Sequence, residues 1–289
     1  SSLIDVNVGG GNSIAGAVSF TNTNTFNVAQ SGSSLTLTGI VSSGGTPILN
    51  KTGNGRLIFG GASANTFTGT LNVTTGSVQA LKTNAFGTAA VIVSASANAE
   101  LNPTSNISLA SAFSLTGTGV GGTGALVDLS SGLTNSISGA ITLTGNTTVG
   151  VTNSTTTLTL SNAIGDGASN FDFTKVGNGI LTLSGTNTFG SANVVTVSAG
   201  TLNAASAAAL GTSTNTVTIT SGATLSGSGA FTLPNAITAN GTGVGANGCS
   251  HRVVPTRPIV YYCCQLTDLF GVALAKRVPC QSRDSHESR

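Results

Sequence analysis

The stretch Lys51-Thr-Gly-Asn-Gly-Arg-Leu-Ile-Phe-Gly-Gly61 returns about 124 residues later as Lys175-Val-Gly-Asn-Gly-Ile-Leu-Thr-Leu-Ser-Gly185. A second shared stretch follows each copy, Asn65-Thr-Phe67 in the first and Asn187-Thr-Phe189 in the second. A fixed period is typical of repeat proteins, in which one supersecondary unit is laid on the next and each buries its neighbour. The repeat therefore predicts a stacked architecture with little room for a unique catalytic centre.

The similarity extends on both sides of the motif, relating Asn12–Val18 to Asn135–Ile141 and Gly117–Gly122 to Gly241–Ala246. We therefore predict that residues 1–248 form a β-solenoid made of two units of about 124 residues. Beyond Gly248 the repeat stops, and residues 249–289 have an unrelated composition.

Apolar residues occur in pairs spaced two apart, usually with Thr, Ser or Asn between them. This alternation is typical of short strands with one face inward and hydroxyl-bearing side chains outward, and Gly- and Asn-rich clusters supply the turns. No stretch has a convincing apolar face at helical spacing, and the nearest candidate, Ala204–Leu210, is too short. The pairs include Leu35/Leu37, Leu57/Phe59, Leu71/Val73, Val91/Val93, Ile107/Leu109, Ile141/Leu143, Leu158/Leu160, Leu181/Leu183, Val195/Val197, Val217/Ile219 and Phe231/Leu233.

We predict an all-β fold, a right-handed parallel β-helix that forms a single elongated domain. The spacing of the pairs gives about three strands per coil and coils of roughly 20–25 residues, within the range of stacked repeats. Residues 1–248 would then make about ten coils, about 50 Å long at a strand spacing of ~4.8 Å, with about five coils in each unit. A twisted β-sandwich is the alternative, but nothing in it requires a long-period repeat.

Within the motif, Phe67 and Phe189 are predicted to fill the core, and Asn65 and Asn187 to lie at corners, where an amide can form an Asx turn or a stacked ladder. The first copy has two more residues before its asparagine than the second, and inward positions cannot absorb such a change. The segment from Gly61 to Asn65 is therefore predicted to loop outward.

Only 6% of the residues are charged, against roughly 25% in an average globular protein. Up to Gly248 there are four basic and five acidic side chains, which gives nucleic acid or an anionic membrane no electrostatic attraction. Disordered chains combine low hydropathy with high charge, whereas this chain has a mean hydropathy of +0.30. We therefore expect residues 1–248 to be folded.

The motif Lys51-x-Gly-x-Gly55-x-Leu57-x-Phe59-x-Gly61, followed by Asn65-Thr-Phe67 and Gly76-x-Val78, resembles the passenger-associated transport repeat of bacterial autotransporters. The second copy resembles it from Lys175 to Leu202, except that Gly190-Ser-Ala-Asn193 replaces the expected turn. The resemblance implies a secreted β-helical passenger, exported through an outer-membrane barrel and displayed on the cell surface. Since many relatives are adhesins or surface-layer proteins, it also implies a non-enzymatic stalk, adhesin segment or surface-layer scaffold.

Two kinds of chemistry compete with this interpretation. Asp166, Asn170 and Asp172 lie close together in the sequence and give a thin suggestion of calcium, but the first unit has no carboxylate at the corresponding place. A β-helix polysaccharide-active enzyme needs clustered carboxylates and a basic residue, and the charges here are scattered. No His or Cys precedes residue 249. We predict no catalytic, cofactor-binding or metal-binding residues and no cofactor.

A third class is ice binding by threonine ladders. The pattern Thr-x-Thr occurs in Thr21–Thr25, Thr155–Thr159 and Thr216–Thr220. Strands of any β-helix expose threonine, because it is β-branched and polar, and the spacing along the sequence is irregular. Ice binding therefore stays an alternative, to be decided by whether the threonines align into one flat array.

The segment 249–289 contains every cysteine and histidine of the chain, and we expect it to be poorly ordered, without native activity. Its abrupt composition suggests an out-of-frame, fused or expression-derived tail, and an evolved cap is the rival interpretation. The apolar stretch Ile259–Ala275 is too short to span a bilayer. The cysteines and histidines match no common zinc spacing; they are Cys249, His251, Cys263, Cys264, Cys280 and His286.

The compartment expected from these observations is extracellular, at the bacterial cell surface. The chain contains no Met and shows no signal peptide, and its tail is too short for a translocator of about twelve strands of ~10 residues each, so we expect a passenger fragment. The expected partners are a host-cell surface, extracellular matrix or another copy of the chain. Neither nucleic acid nor membrane insertion by this fragment is expected.

Overall fold

A computed structural model describes residues 2–7, 9–190, 192–241 and 243 of the chain. These residues form 26 β-strands and one short 3-10 helix, Val120–Gly122. Every strand pairing among them is parallel, and together they make a solenoid of about eleven turns. The prediction of an all-β parallel β-helix is confirmed.

The strands stack in three columns, which the chain visits in turn. Column A comprises β1 (Ser2–Val6), β4 (Asn24–Val28), β7 (Ile48–Thr52), β9 (Thr70–Val73), β11 (Ala90–Val93), β14 (Phe113–Gly117), the first part of β17 (Ile141–Val151) and β19 (Ile164–Gly165).

Column B is the longest of the three. It comprises β2 (Gly11–Ile14), β5 (Ser34–Leu37), β8 (Arg56–Phe59), β10 (Gly76–Ala80), β12 (Ala97–Leu101), β15 (Leu126–Asp128), the last part of β17, β20 (Phe173–Val176), β22 (Val194–Val197), β24 (Thr216–Ile219) and β26 (Ala236–Ala239).

Column C closes the coil. Between Ser43 and Ser108 it is continued by the Ser42–Thr66 bridge and by a hydrogen bond from the Asn84 amide to the Ser108 carbonyl. Its strands are β3 (Val18–Phe20), β6 (Val41–Ser43), β13 (Ser108–Leu109), β16 (Thr134–Ile137), β18 (Thr157–Leu160), β21 (Ile180–Leu183), β23 (Gly200–Ala204) and β25 (Ala223–Gly227).

The core is a set of inward rows in which equivalent residues of successive coils lie on one another. All predicted apolar pairs are buried except Phe231/Leu233, which is partly buried and lies outside the strands. Burial of this kind contributes about 25 cal/mol for each Å² of apolar surface removed from water. One complete row in column A is Leu49, Leu71, Val91, Phe113, Ile141 and Ile164.

The predicted burial of Phe67 and Phe189 is confirmed, since each is 1% exposed. The hydrogen bonds of Asn65 and Asn187 form neither an Asx turn nor an amide ladder, because both side chains bond to the main chain of the neighbouring coils. Asn65 accepts a hydrogen bond from the Val41 amide at 2.9 Å and donates one to the Ala85 carbonyl at 2.5 Å, so its amide joins three coils. Asn187 does the same between Ile164 and Ala209. Residues 61–64 are exposed, as expected of an outward loop.

The repeat period of about 124 residues corresponds to five coils plus one column. Five steps lead up column A from β7 to β19, and the second copy of the motif begins on the next strand, β20, in column B. The coils vary in length, from 20 residues between Leu71 and Val91 to 30 between Gly117 and Thr147, so a fixed sequence period need not be a whole number of turns.

The division into two units plus a separate tail stays a prediction, because residues 249–289 lie outside the described residues. The same holds for the cysteines and histidines considered as zinc ligands. Where the structure is described, it contains no helix long and apolar enough to cross a membrane.

Candidate functional site

Most ionisable side chains of the described residues are buried. Of the nine in the described residues, six are buried. Only Asp5, Arg56 and Asp172 reach the surface to any extent. The outer faces therefore carry almost no charge, although their side chains are polar. The six buried side chains are Lys51, Lys82, Glu100, Asp128, Asp166 and Lys175.

Of the residues suggested for calcium, Asp166 is held by hydrogen-bond donors. The Asp166 carboxylate accepts hydrogen bonds from the Gly190 amide at 2.7 Å, from Asn193 Nδ2 at 2.9 Å and from the Ala168 and Phe171 amides. Burial opposes its ionisation, but these four donors outweigh burial and lower the pKa of the Asp166 carboxyl. A carboxylate surrounded by N–H donors stabilises its loop and has no free oxygen directed at a cation.

Asp128 occupies an inward row of column B, between Leu101 below and Val151 above. It accepts hydrogen bonds from Ser130 Oγ at 2.6 Å and from Asn135 Nδ2 at 2.8 Å. Burial raises the pKa of the Asp128 carboxyl, and these hydrogen bonds oppose the rise. Since its partners are side chains of the same corner, its role is to hold that corner together.

The remaining carboxylates do not converge on one another. Glu100 lies 2.7 Å from Arg56 Nε, in the only ion pair among the described residues, and it also accepts a hydrogen bond from Gln79. No group of three or more His, Cys, Asp or Glu side chains gathers in the described part of the chain. The arrangement that a polysaccharide-active enzyme would need is not assembled by these residues.

The outward face of column B carries an unbroken row of threonines, which we call the column B ladder. Parallel pairing places one threonine directly above another in five successive coils, at the ~4.8 Å spacing of strands. The ladder runs through Thr174, Thr196, Thr218 and Thr238 at the surface, and Thr148, which pairs with Thr174 at one end of the row, is buried.

Column C carries two outward rows side by side over the same part of the solenoid. Side chains two residues apart on one strand are about 6.6 Å apart, so the two rows form a two-dimensional array of hydroxyl and amide groups. Ile180 interrupts the array, and Thr224 at one end of it is buried. Its rungs are Thr134/Ser136, Thr157/Thr159, Ile180/Thr182, Thr201/Asn203 and Thr224/Ser226.

Sequence reasoning missed this alignment, because the threonines are irregularly spaced along the chain. Loops outside the strands absorb the variation in coil length, while the pairing within strands keeps the rows in register. The signal that could have revealed the alignment is the position of each threonine between the two members of an inward apolar pair. Thr196 lies between Val195 and Val197, and Thr218 lies between Val217 and Ile219.

Two segments of this solenoid match a known repeat family. Residues 49–80 and 173–204 match the family model of the passenger-associated-transport-repeat. The chain carries two passenger-associated transport repeats. Searches of curated proteins and of solved structures gave no match. The resemblance stated from the motif is thereby confirmed.

The two transport repeats coincide with defined elements of the fold. The first spans β7 to β10 in columns A and B, and the second spans β20 to β23 in columns B and C. Both the repeats and the parallel solenoid fit an autotransporter passenger, and the repeat family implies export to the cell surface. They are also compatible with a passenger that has no enzymatic activity.

Proposed function

We propose that this chain is a non-enzymatic structural or adhesin segment of an exported passenger, located extracellularly at the bacterial cell surface. The supporting observation is the stack of about eleven coils whose outward rows are hydroxyl and amide groups with almost no charge. A rod of this kind can display a distal element, form part of a surface layer, or present its polar rows to a partner.

The proposed partners are a host-cell surface, extracellular matrix or a second copy of the chain. Nucleic acid and anionic membranes require clustered lysine and arginine. In the described residues both repeat lysines and Lys82 are buried, and Arg56 is paired with Glu100. A surface without charge does not repel a second copy, which favours association between rods.

The test uses the full chain, labelled with a fluorophore, against cultured mammalian epithelial cells and against immobilised full chain. The variant Thr196→Lys/Thr218→Lys places two charges on adjacent rungs of the column B ladder. The matched control, Ser114→Lys/Thr142→Lys, places two charges on adjacent outward rungs of column A.

Binding to cells or to the immobilised chain should fall at least about tenfold in the column B variant, because charges on adjacent rungs repel and resist desolvation. It should change little in the control. Equal loss in both variants would indicate a nonspecific effect of charge, and no binding by the wild-type chain to either probe would overturn the proposed adhesive role.

Ice binding is the second candidate function, favoured by the aligned rows of columns B and C. A flat array of threonine hydroxyls and methyl groups at a constant spacing can order water in a lattice. Thermal hysteresis of the full chain, compared with the Thr196→Lys/Thr218→Lys variant, tests it. Absence of hysteresis in the wild-type chain would remove this candidate.

A further inference from the structure

Each transport repeat contains a lysine that is fully buried in an apolar row. Lys51 lies between Phe26 and Val73 in column A, and Lys175 lies between Val149 and Val197 in column B. Both are 0% exposed, and neither forms an ion pair with a described residue. A buried ammonium without a carboxylate needs other acceptors.

Those acceptors are carbonyl groups of the main chain. Lys175 Nζ donates to the carbonyl oxygens of Gly177 at 2.5 Å, Gly179 at 2.7 Å and Ala199 at 3.0 Å. All three donors of the ammonium are therefore used. The Ala199 carbonyl belongs to the next coil, 24 residues further along the chain.

The first repeat builds the same arrangement on a different column. Lys51 Nζ donates to the carbonyl oxygens of Thr52 at 2.8 Å, Gly53 at 2.7 Å and Thr75 at 3.2 Å. Two acceptors are equivalent in the two copies, namely the glycine two residues after the lysine and the carbonyl 24 residues after it.

The glycines of the motif explain how the carbonyls come together. Gly53 and Gly177 have positive φ angles of 75° and 79°, which are unfavourable for other residues. In the next coil, a Cβ atom on Gly76 or Gly200 would lie within 2.5 Å of the Gly53 or Gly177 oxygen. Only glycine lets the upper coil approach this closely.

We propose that each transport repeat encodes a main-chain cation site, a cage of three carbonyl oxygens whose ligand is the tethered lysine ammonium. The Lys-x-Gly-x-Gly motif supplies the ligand and the lower carbonyls, and the glycine 25 residues after the lysine brings in the upper coil. The cage fastens one coil to the next in a solenoid that has no cysteine before residue 249. Its ligand class is a primary ammonium.

Chemical rescue tests the cage. In the full-length variants Lys51→Ala and Lys175→Ala, the side chain is lost and its carbonyl acceptors remain. Butylammonium chloride should raise the Tm of each variant with a saturable dependence on concentration, because it refills the cavity with an N–H donor. Tetramethylammonium chloride has the same charge without N–H donors and should give no saturable rise.

Two controls sharpen this experiment. Lys175→Met keeps most of the side-chain volume but has no donor, so its Tm should fall below that of the wild type and should not respond to butylammonium. Lys82→Ala removes a lysine whose hydrogen bonds go to the Ser63 carbonyl and the Asn65 side chain, not to a cage of three carbonyls, and it should not be rescued. Equal responses to both salts, or rescue of Lys82→Ala, would overturn the proposal.

A measurement on the wild-type chain keeps the proposal testable if the alanine variants do not fold. The chain has four lysines, and ¹⁵N-lysine labelling at about pH 6 should show two ammonium groups with slow hydrogen exchange. These signals should disappear singly in Lys51→Met and Lys175→Met. Four ammonium groups that all exchange at the rate of free lysine would contradict a closed cage.

Discussion

The two transport repeats have nearly the same motif but lie on different columns of the solenoid. Lys51 belongs to column A and Lys175 to column B, yet each ammonium contacts the glycine carbonyl two residues ahead and a carbonyl 24 residues ahead. The motif therefore determines its own corner and the coil above it. Which column it occupies is determined by the lengths of the intervening loops.

The copies differ in what surrounds the shared corner. Arg56 of the first repeat pairs with Glu100, whereas the equivalent residue of the second is Ile180. Lys82 donates to Asn65 in the first, and Ser206 stands at that place in the second. Features common to both copies are thus attributed to the repeat, and features found in one copy to local packing.

The largest expected effect comes from adding a Cβ atom where one coil closely approaches the next, at the corner that both repeats share. Gly200→Ala should lower the free energy of unfolding by about 4 kcal/mol, because its Cβ would meet two carbonyl oxygens at 2.5 Å and its φ is positive. Gly76→Ala should cost the same, because its surroundings are equivalent. Denaturant unfolding of the full chain measures both.

Gly222→Ala is the control, because Gly222 has a similar φ of 81° but nothing within 4 Å of the added Cβ. It should cost only about 1–2 kcal/mol, the strain of a left-handed backbone. If Gly200→Ala and Gly222→Ala cost the same, the close approach of the coils is not what requires glycine.

The second prediction concerns the corner asparagines. Asn187→Ala leaves the Ile164 amide and the Ala209 carbonyl without their partner and should cost about 3 kcal/mol. Asn65→Ala should cost about 1 kcal/mol more, because Lys82 also loses an acceptor. A double-mutant cycle of Asn65→Ala with Lys82→Ala measures that difference, and zero coupling would show that the two copies are equivalent here.

Much of the fold was predictable because it depends on local alternation. Within a strand, residues an even number of positions from an inward residue such as Leu57 or Leu181 also point inward, and the recurring Asn-Thr-Phe identifies corners. Lys51 lies two residues after Leu49, and Asp128 two residues after Leu126, so the same alternation predicts that both are buried.

The register between coils was not predictable, because it depends on loops whose lengths carry no periodic signal. The seven-residue connection Thr118–Gly124 lies within the longest coils, and the short turn before Gly200 lies within a shorter one. The threonine alignment and the offset of the second repeat both follow from these lengths. Composition and spacing alone could not reveal them.

The third prediction is a dependence of stability on pH. Burial lowers the pKa of Lys51 to about 8 and that of Lys175 to about 7, against an ordinary value of 10.5. Between the lowered pKa of each lysine in the folded chain and its ordinary value of 10.5, the unfolded chain binds more protons than the folded chain. The free energy of unfolding therefore rises with pH in this window, by up to about 1.4 kcal/mol per pH unit for each lysine. Below pH 7 both states are protonated and the dependence ends.

Thermal unfolding of the full chain between pH 6 and pH 10 measures this rise. The Lys175→Met variant should lose the part that begins near pH 7, and Lys51→Met the part that begins near pH 8. All other titrating groups are common to the variants, so differences between them isolate the two lysines. A rise that persists unchanged in both variants would assign it to other groups.

The smallest expected effect is on the surface, where the second repeat departs from the first. Ile180→Thr completes the outer row of column C between Thr157 and Thr201 and should change the free energy of unfolding by less than about 0.5 kcal/mol. Leu181→Thr, one residue further on, places a hydroxyl in the core and should cost about 3 kcal/mol. Comparing the two variants by denaturant unfolding tests the inward and outward alternation directly, because similar costs would mean that column C does not have the register described.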